Sequence, residues 1–201
     1  MGMINNFDLL KGMLQFDNEG DFYFLQIIQR KKDNPTIARN MNVINNYFFY
    51  SVAEYNAHQA RIIHECNAHN ARAYLRINVR NTKKVGMKML EKVTDLIITE
   101  DYRALKNAYM SAAGDVHSQK YPRWIVDIDT KDFEYIFKVK QYVDYLLIQH
   151  TTIGKSYCRW MDVPTRNGVH IITNPFRLDL FKEQFPDVDV HKDNPTIAYI
   201  P

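Results

Sequence analysis

Residues 71–80, ARAYLRINVR, alternate between side chains that avoid water and side chains that seek it. Ala73, Leu75, Ile77 and Val79 fall on one side; Arg72, Tyr74, Arg76, Asn78 and Arg80 fall on the other. A period of two marks a strand with one face on a core and one toward polar surroundings. Such a strand needs sheet neighbours and a second layer to cover its apolar face. DFYFLQIIQR, residues 21–30, is an aromatic-rich strand candidate, and Asn34-Pro35 marks a turn after it. Ser51 and Glu54 form a capping box that opens a helix reaching about Asn70. Helical spacing recurs over 82–98, over 101–113 and over 131–149, where Phe133, Ile136, Val139, Val143 and Leu147 share a face. RWIVDID is a strand, and KSYCRWMDVP and VHIIT suggest a hairpin around a turn at 165–168. A short helix over 177–184 and a last strand, TIAYIP, complete the order. The expectation is an α+β fold: a single domain over 1–201 with a mixed or antiparallel sheet flanked by helices.

Composition narrows the class. Of the 201 residues 46% are hydrophobic, which favours folding over disorder. The formal charge of +3 permits nucleic-acid binding without requiring it. No apolar run approaches the ~20 residues that span a bilayer, so no membrane partner is expected. MGMINNFDLLKG lacks the basic and apolar regions of a secretory signal. Two cysteines, Cys66 and Cys158, make no disulfide framework. An intracellular, cytoplasmic protein with reduced thiols is the expectation.

WIVDIDT places Asp127 and Asp129 one residue apart inside an apolar run. In a strand both project to one face, with Cβ atoms about 6.5–7 Å apart. Side by side the two charges repel and raise each other's pKa, and a divalent cation removes the conflict. Carboxylates suit Mg²⁺ or Mn²⁺, and two such ions can clamp an in-line phosphoryl displacement. The plain reading of the pair is two solvated aspartates on an edge strand. His170 follows a polar turn in PTRNGVHIIT, with Arg166 as a second cation beside it; a strand-borne histidine there can donate to a phosphate oxygen. Asp189 alternates with Val188 and Val190 and so belongs to a third strand.

WIVDIDT, NGVHIIT and VDVHKDNPTIAYIP resemble the three motifs of the archaeo-eukaryotic primase superfamily, primase-polymerase branch. The resemblance implies a catalytic core with an RRM-like sheet that joins nucleotides with two divalent metals, Mg²⁺ or Mn²⁺. It makes Asp127, Asp129 and Asp189 the catalytic metal ligands and His170 the nucleotide-phosphate histidine. Asn78-Val79-Arg80 is similar to the Asn-Pro-Arg that ends the family's upstream strand. The likeness covers about 71–201; residues 1–70 match nothing. Gly168 stands where the family often has Ser, and Asp187 and Asp193 compete with Asp189 for the third position. The family's core is often followed by a helicase or accessory domain that residues 1–201 do not hold, so the expectation is a core that either works with a helicase or accessory replication protein or has lost activity.

The expected substrates are nucleoside triphosphates and a single-stranded nucleic-acid template. Arg166 is a candidate nucleotide contact. Arg72, Arg76 and Arg80, with Tyr74 between them, are candidates for nucleic-acid binding, since arginine and aromatic side chains on a sheet pair with phosphates and stack on bases; an ordinary solvated face is the plain reading. Lys83, Lys84, Lys88 and Lys92 add a basic stripe. A metal-dependent nuclease or other phosphoryl-transfer enzyme would use the same carboxylates, and a non-catalytic RRM-like nucleic-acid-binding module is the third reading. His58, His64, Cys66 and His69 have zinc-type donors but not zinc-finger spacing. KDNPTIA occurs twice, at 32–38 and 192–198, in unrelated flanks.

Overall fold

The structure is a computed structural model that describes residues 2–117, 122–150 and 161–201. Cys158 and the first part of the expected 155–164 strand lie outside the described residues. Ten strands and six α-helices are described, and every strand pairing among them is antiparallel. The α+β expectation holds.

The motif-bearing half runs β6 (Trp124–Ile128), α5 (Phe133–His150), β7 (Met161–Pro164), β8 (Val169–Thr173), α6 (Leu178–Gln184) and β9 (Asp189–His191). Its strands are ordered β7-β8-β6-β9. A β-α-β-β-α-β chain in that order is the ferredoxin-like or RRM-like arrangement. One face of this sheet carries Val126, Ile128, Val169 and Ile171, packed on Val139, Val143 and Leu146 of α5 and Phe181 of α6. The apolar spacing over 131–149 is that buried stripe.

The second sheet uses both ends of the chain. Its order is β1 (Ile4–Asn5), β10 (Pro195–Ile200), β4 (Arg72–Arg76), β2 (Asp21–Arg30) and β3 (Met41–Phe49), with β5 (Arg80–Asn81) pairing the start of β2. Leu25, Ile27, Ala73 and Leu75 pack into a core with α1 (Phe7–Lys11) and α2 (Val52–His69), joined by Ile125, Val163 and Ile172 of the motif sheet. On the opposite face, Phe22 and Phe24 are covered by α3 (Thr82–Ile98) and α4 (Ala108–Asp115) through Val85, Ala112 and Ala113. Beyond Phe24, Gln26, Ile28 and Arg30 on that face line a cleft, which no helix covers among the described residues.

Two local signals act as expected. Ser51 accepts from the Glu54 amide at 3.1 Å, and the Glu54 carboxylate accepts from the Tyr50 amide at 2.8 Å, fixing the start of α2. The helix ends at Asn70 in the left-handed region, φ 44°. Three elements were not foreseen: β1, α1 and β3. The 101–113 helix is shorter than its pattern, with a 3₁₀ turn at Leu105–Asn107 before α4.

The 71–80 strand needs correction. β4 ends at Arg76, and the chain bends before Arg80 enters β5. Arg80 is fully buried and forms a two-pronged ion pair with Asp193, at 2.7 and 3.1 Å. It is a structural cation and not part of an open nucleic-acid face. Asp193 also accepts from Asn78 at 2.9 Å, so this aspartate anchors β10 to the 78–80 bend. The first KDNPTIA copy repeats the logic in a different backbone setting. Asp33, in the β2–β3 loop, accepts from Arg72 at 2.6 Å. Each copy thus supplies one aspartate to an arginine of the 72–80 stretch.

Candidate functional site

The site grows from one cross-strand row. Asp127 of β6 stands directly opposite His170 of β8 on one side and Asp189 of β9 on the other. Residues directly opposite in antiparallel strands project to the same face. Three side chains nominated from separate motifs therefore share a face. Asp129, just past the end of β6, borders the same two hollows as Asp127.

The first hollow is a cleft of about 550 Å³. Its floor is the uncovered face of the larger sheet, where Gln26, Tyr74 and Ile197 stand in one row and Ile28 stands opposite Arg72. Asp127, His170, His191 and the 165–167 turn line it from the motif sheet. The turn is seated by Gly168, where a Cβ would lie 1.8 Å from the Ile128 carbonyl oxygen. A serine could not replace this glycine without moving the end of β6. The buried Asn6 side chain donates to the carbonyls of Pro164 (2.9 Å) and Ile197 (3.0 Å), tying β7 to β10. The otherwise unmatched first 70 residues thus supply much of the cleft floor and the tie between the sheets.

Charge in the cleft is lopsided. Arg30, Lys32, Arg72, Arg76 and Arg166 line it, against the carboxylates of Asp127 and Asp129. Burial pushes the Arg76 and Lys32 pKa values down; crowding by Arg80 adds to the effect at Arg76, and crowding by Arg30 and Arg72 adds to it at Lys32. Arg72 is 5% exposed. Asp33 partly offsets the excess by accepting from both Arg72 and Arg166, the latter at 3.1 Å. Burial alone would raise the Asp33 pKa, but the Arg72 bond and charge and the Arg166 charge outweigh it and hold the carboxyl low. Arg76 donates to the Asp193 carbonyl at 2.6 Å. Arg72, buried, and Arg76, half-buried, both line the cleft, each with a partner and each with a buried Nε that has none among the described residues.

His170 is held from two sides. Nδ1 shares a 2.8 Å hydrogen bond with Oγ1 of the buried Thr196, and Nε2 lies 3.3 Å from Asp127 Oδ1. His191 Nε2 lies 4.0 Å from the other Asp127 oxygen. Burial pushes the Asp127 carboxyl up; the His170 bond and the fields of both histidines more than reverse this, leaving it below the usual range. His191 went unrecognised in the sequence, although it follows Asp189 at the same two-residue spacing that joins Asp127 to Asp129. Thr196 carried no sequence signal.

The second hollow, about 210 Å³, lies on the far side of Asp127 and Asp129 and is bordered also by Tyr135, Asp187 and Asp189. Asp189 is largely exposed, with Lys182 Nζ 3.9 Å away. The two aspartates of the DID sequence thus form a ridge between a basic cleft and an acidic recess. Among the described residues no three His, Cys, Asp or Glu side chains are gathered tightly enough to hold a metal ion as placed. The donor chemistry, four carboxylates around one recess, is nevertheless that of a hard divalent cation. The His64–Cys66–His69 group gathers no zinc site: Cys66 is buried in the core of α2, its thiol pushed up to about 12 by burial.

Among the described residues, no helix is long and apolar enough to cross a membrane. Comparison with family models, with curated proteins and with solved structures finds no match.

Proposed function

We propose that the chain is a nucleotidyltransferase of the primase-polymerase type, acting on nucleoside triphosphates along a single-stranded template. The carrying observation is the row His170–Asp127–Asp189 at the mouth of a cleft dominated by cations. In this reading the triphosphate lies in the cleft against Arg72, Arg76 and Arg166, and His170 Nε2 turns its bond from Asp127 to a phosphate oxygen. Charge-assisted bonds of this kind are the strong ones. Ile28 and Ile197 offer the base an apolar floor. Asp127, Asp129 and Asp189 would hold two divalent ions, Mg²⁺ or Mn²⁺, and such ions would supply Lewis-acid activation for a 3′-hydroxyl and countercharge for pyrophosphate. Thr196 holds the His170 ring at Nδ1, so its orientation is set before substrate arrives. A helicase or accessory replication protein as partner, and the cytoplasm as location, belong to the same proposal.

A metal-dependent nuclease would use the same carboxylates, but the cation-lined cleft suits a triphosphate better than the acidic recess suits a lone strand. A melting series with Mn²⁺ and a nucleoside triphosphate tests the proposal. Wild type should gain stability by linkage, since ligands that bind only the folded state raise it. Asp127→Asn should lose most of that gain while its ligand-free stability stays within about 1 kcal/mol, because Asn retains an acceptor for His170. No gain in wild type would favour the binding module.

A further inference from the structure

The arginines first considered for template binding each hold a partner inside the protein, Arg80 with Asp193, Arg76 with the Asp193 carbonyl and Arg72 with Asp33, and the buried Nε atoms of Arg72 and Arg76, which have no partner among the described residues, belong to the cleft already described. Another basic element stands at the cleft. The β2–β3 hairpin turns through RKKDNPTIARN, residues 30–40, which hold four cations and a single acid. That acid, Asp33, is neutralised by Arg72 and Arg166, from outside the hairpin. Arg30, Lys31, Lys32 and Arg39 are thus left with a field that the hairpin's own side chains do not balance.

The loop is also built, not loose. Asn34 donates to the Asn70 carbonyl at 2.9 Å, and Asn70 donates to the Asp33 carbonyl at 2.9 Å, so the hairpin is clasped to the end of α2. Lys31 and Arg39 are exposed, while Arg30 and Lys32 also line the cleft. Arg30 donates to the Tyr74 hydroxyl at 3.3 Å, which connects the basic hairpin to the aromatic side chain on the cleft floor. Unbalanced, pre-positioned cations leading to an aromatic floor match a polyanion whose units each carry a phosphate and a flat ring.

We propose that the tip of the β2–β3 hairpin, residues 30–39, is the contact for the phosphates of a single-stranded nucleic acid and leads that strand onto Tyr74. This rests on the proposed function for the chemistry at the end of the path, but the binding itself requires neither metal nor nucleotide. The Lys32 pKa is lowered, by partial desolvation at the cleft rim and then by crowding from Arg30 and Arg72.

The test is fluorescence anisotropy of a labelled single-stranded oligonucleotide, in chelator and without nucleotide, across a salt series. Lys31→Glu/Arg39→Glu alters two exposed side chains, so the fold should survive; an unchanged melting temperature confirms it. Lys83→Glu/Lys84→Glu makes the same change of charge on α3. The hairpin pair should lose about tenfold or more in affinity, and its salt slope should shrink by about 1.4, near 0.7 per lost phosphate contact. The α3 pair should stay within about twofold. Equal losses in both pairs, an unchanged hairpin pair, or a protein that ignores the oligonucleotide and floats with anionic vesicles would each overturn the proposal. Because nucleotide transfer is not measured here, loss of transfer in its own assay would refute the enzymatic reading and leave this one standing.

Discussion

His170 and Thr196 share a 2.8 Å hydrogen bond although they belong to different sheets. Thr196 is fully buried on β10, and this bond aims the His170 ring at Asp127. Thr196→Val keeps the shape and removes the hydroxyl. The expected cost is about 1 kcal/mol of stability in urea unfolding. The ring, freed at Nδ1, should also hold phosphate less well, so KM for a triphosphate should rise more than kcat falls. A variant with wild-type KM would show that Thr196 does not position His170.

Three aspartates compete for the third motif position, and their surroundings separate them. Asp193 partners the buried Arg80, so Asp193→Ala leaves an uncompensated buried cation and should cost about 3–5 kcal/mol. Asp187 is exposed, and Asp187→Ala should change stability by less than about 0.5 kcal/mol. Asp189→Ala should likewise leave the fold intact but remove activity. Chemical denaturation of the three variants beside one transfer assay checks all of this.

Much of the candidate site was legible because strand alternation is local. Asp127, Asp129 and Asp189 could be placed on faces from their neighbours alone, and the register then set Asp189 and His170 beside Asp127. The cleft was not legible, because its floor comes from residues 26–32, 72–76 and 194–200, and only long-range pairing brings them together. β3 was missed for a different reason. MNVINNYFF carries three asparagines, which disfavour strands, and its pairing with β2 slips at Ile27/Ile28, which breaks the alternation. Arg80 was misplaced because the bend after Arg76 has no proline or glycine to announce it.

Asp33 gives the protein a defined acid sensitivity. Its folded pKa is depressed, so its ion pairs contribute stability that is fully present above the unfolded carboxylate value of ~3.9 and is lost as pH falls through the folded value. Asp33→Asn should therefore be less stable than wild type at pH 6, and the gap should narrow only below about pH 4. Unfolding free energies of both proteins between pH 6 and pH 2 check this. A gap that stays constant to pH 2 would mean that the charge of Asp33 is not what stabilises the loop.

On the proposed function, Asp127 sits at a centre of metal-dependent phosphoryl transfer. The most direct measurement is incorporation of labelled nucleotide on a single-stranded template, with Mn²⁺ or with chelator, for wild type and Asp127→Asn. Wild type should extend product only with metal, and Asp127→Asn should fall by about 10³-fold or more, the scale of losing a group that acts in the transition state. Incorporation by Asp127→Asn at the wild-type rate, or none by wild type with Mn²⁺ present, would contradict the account.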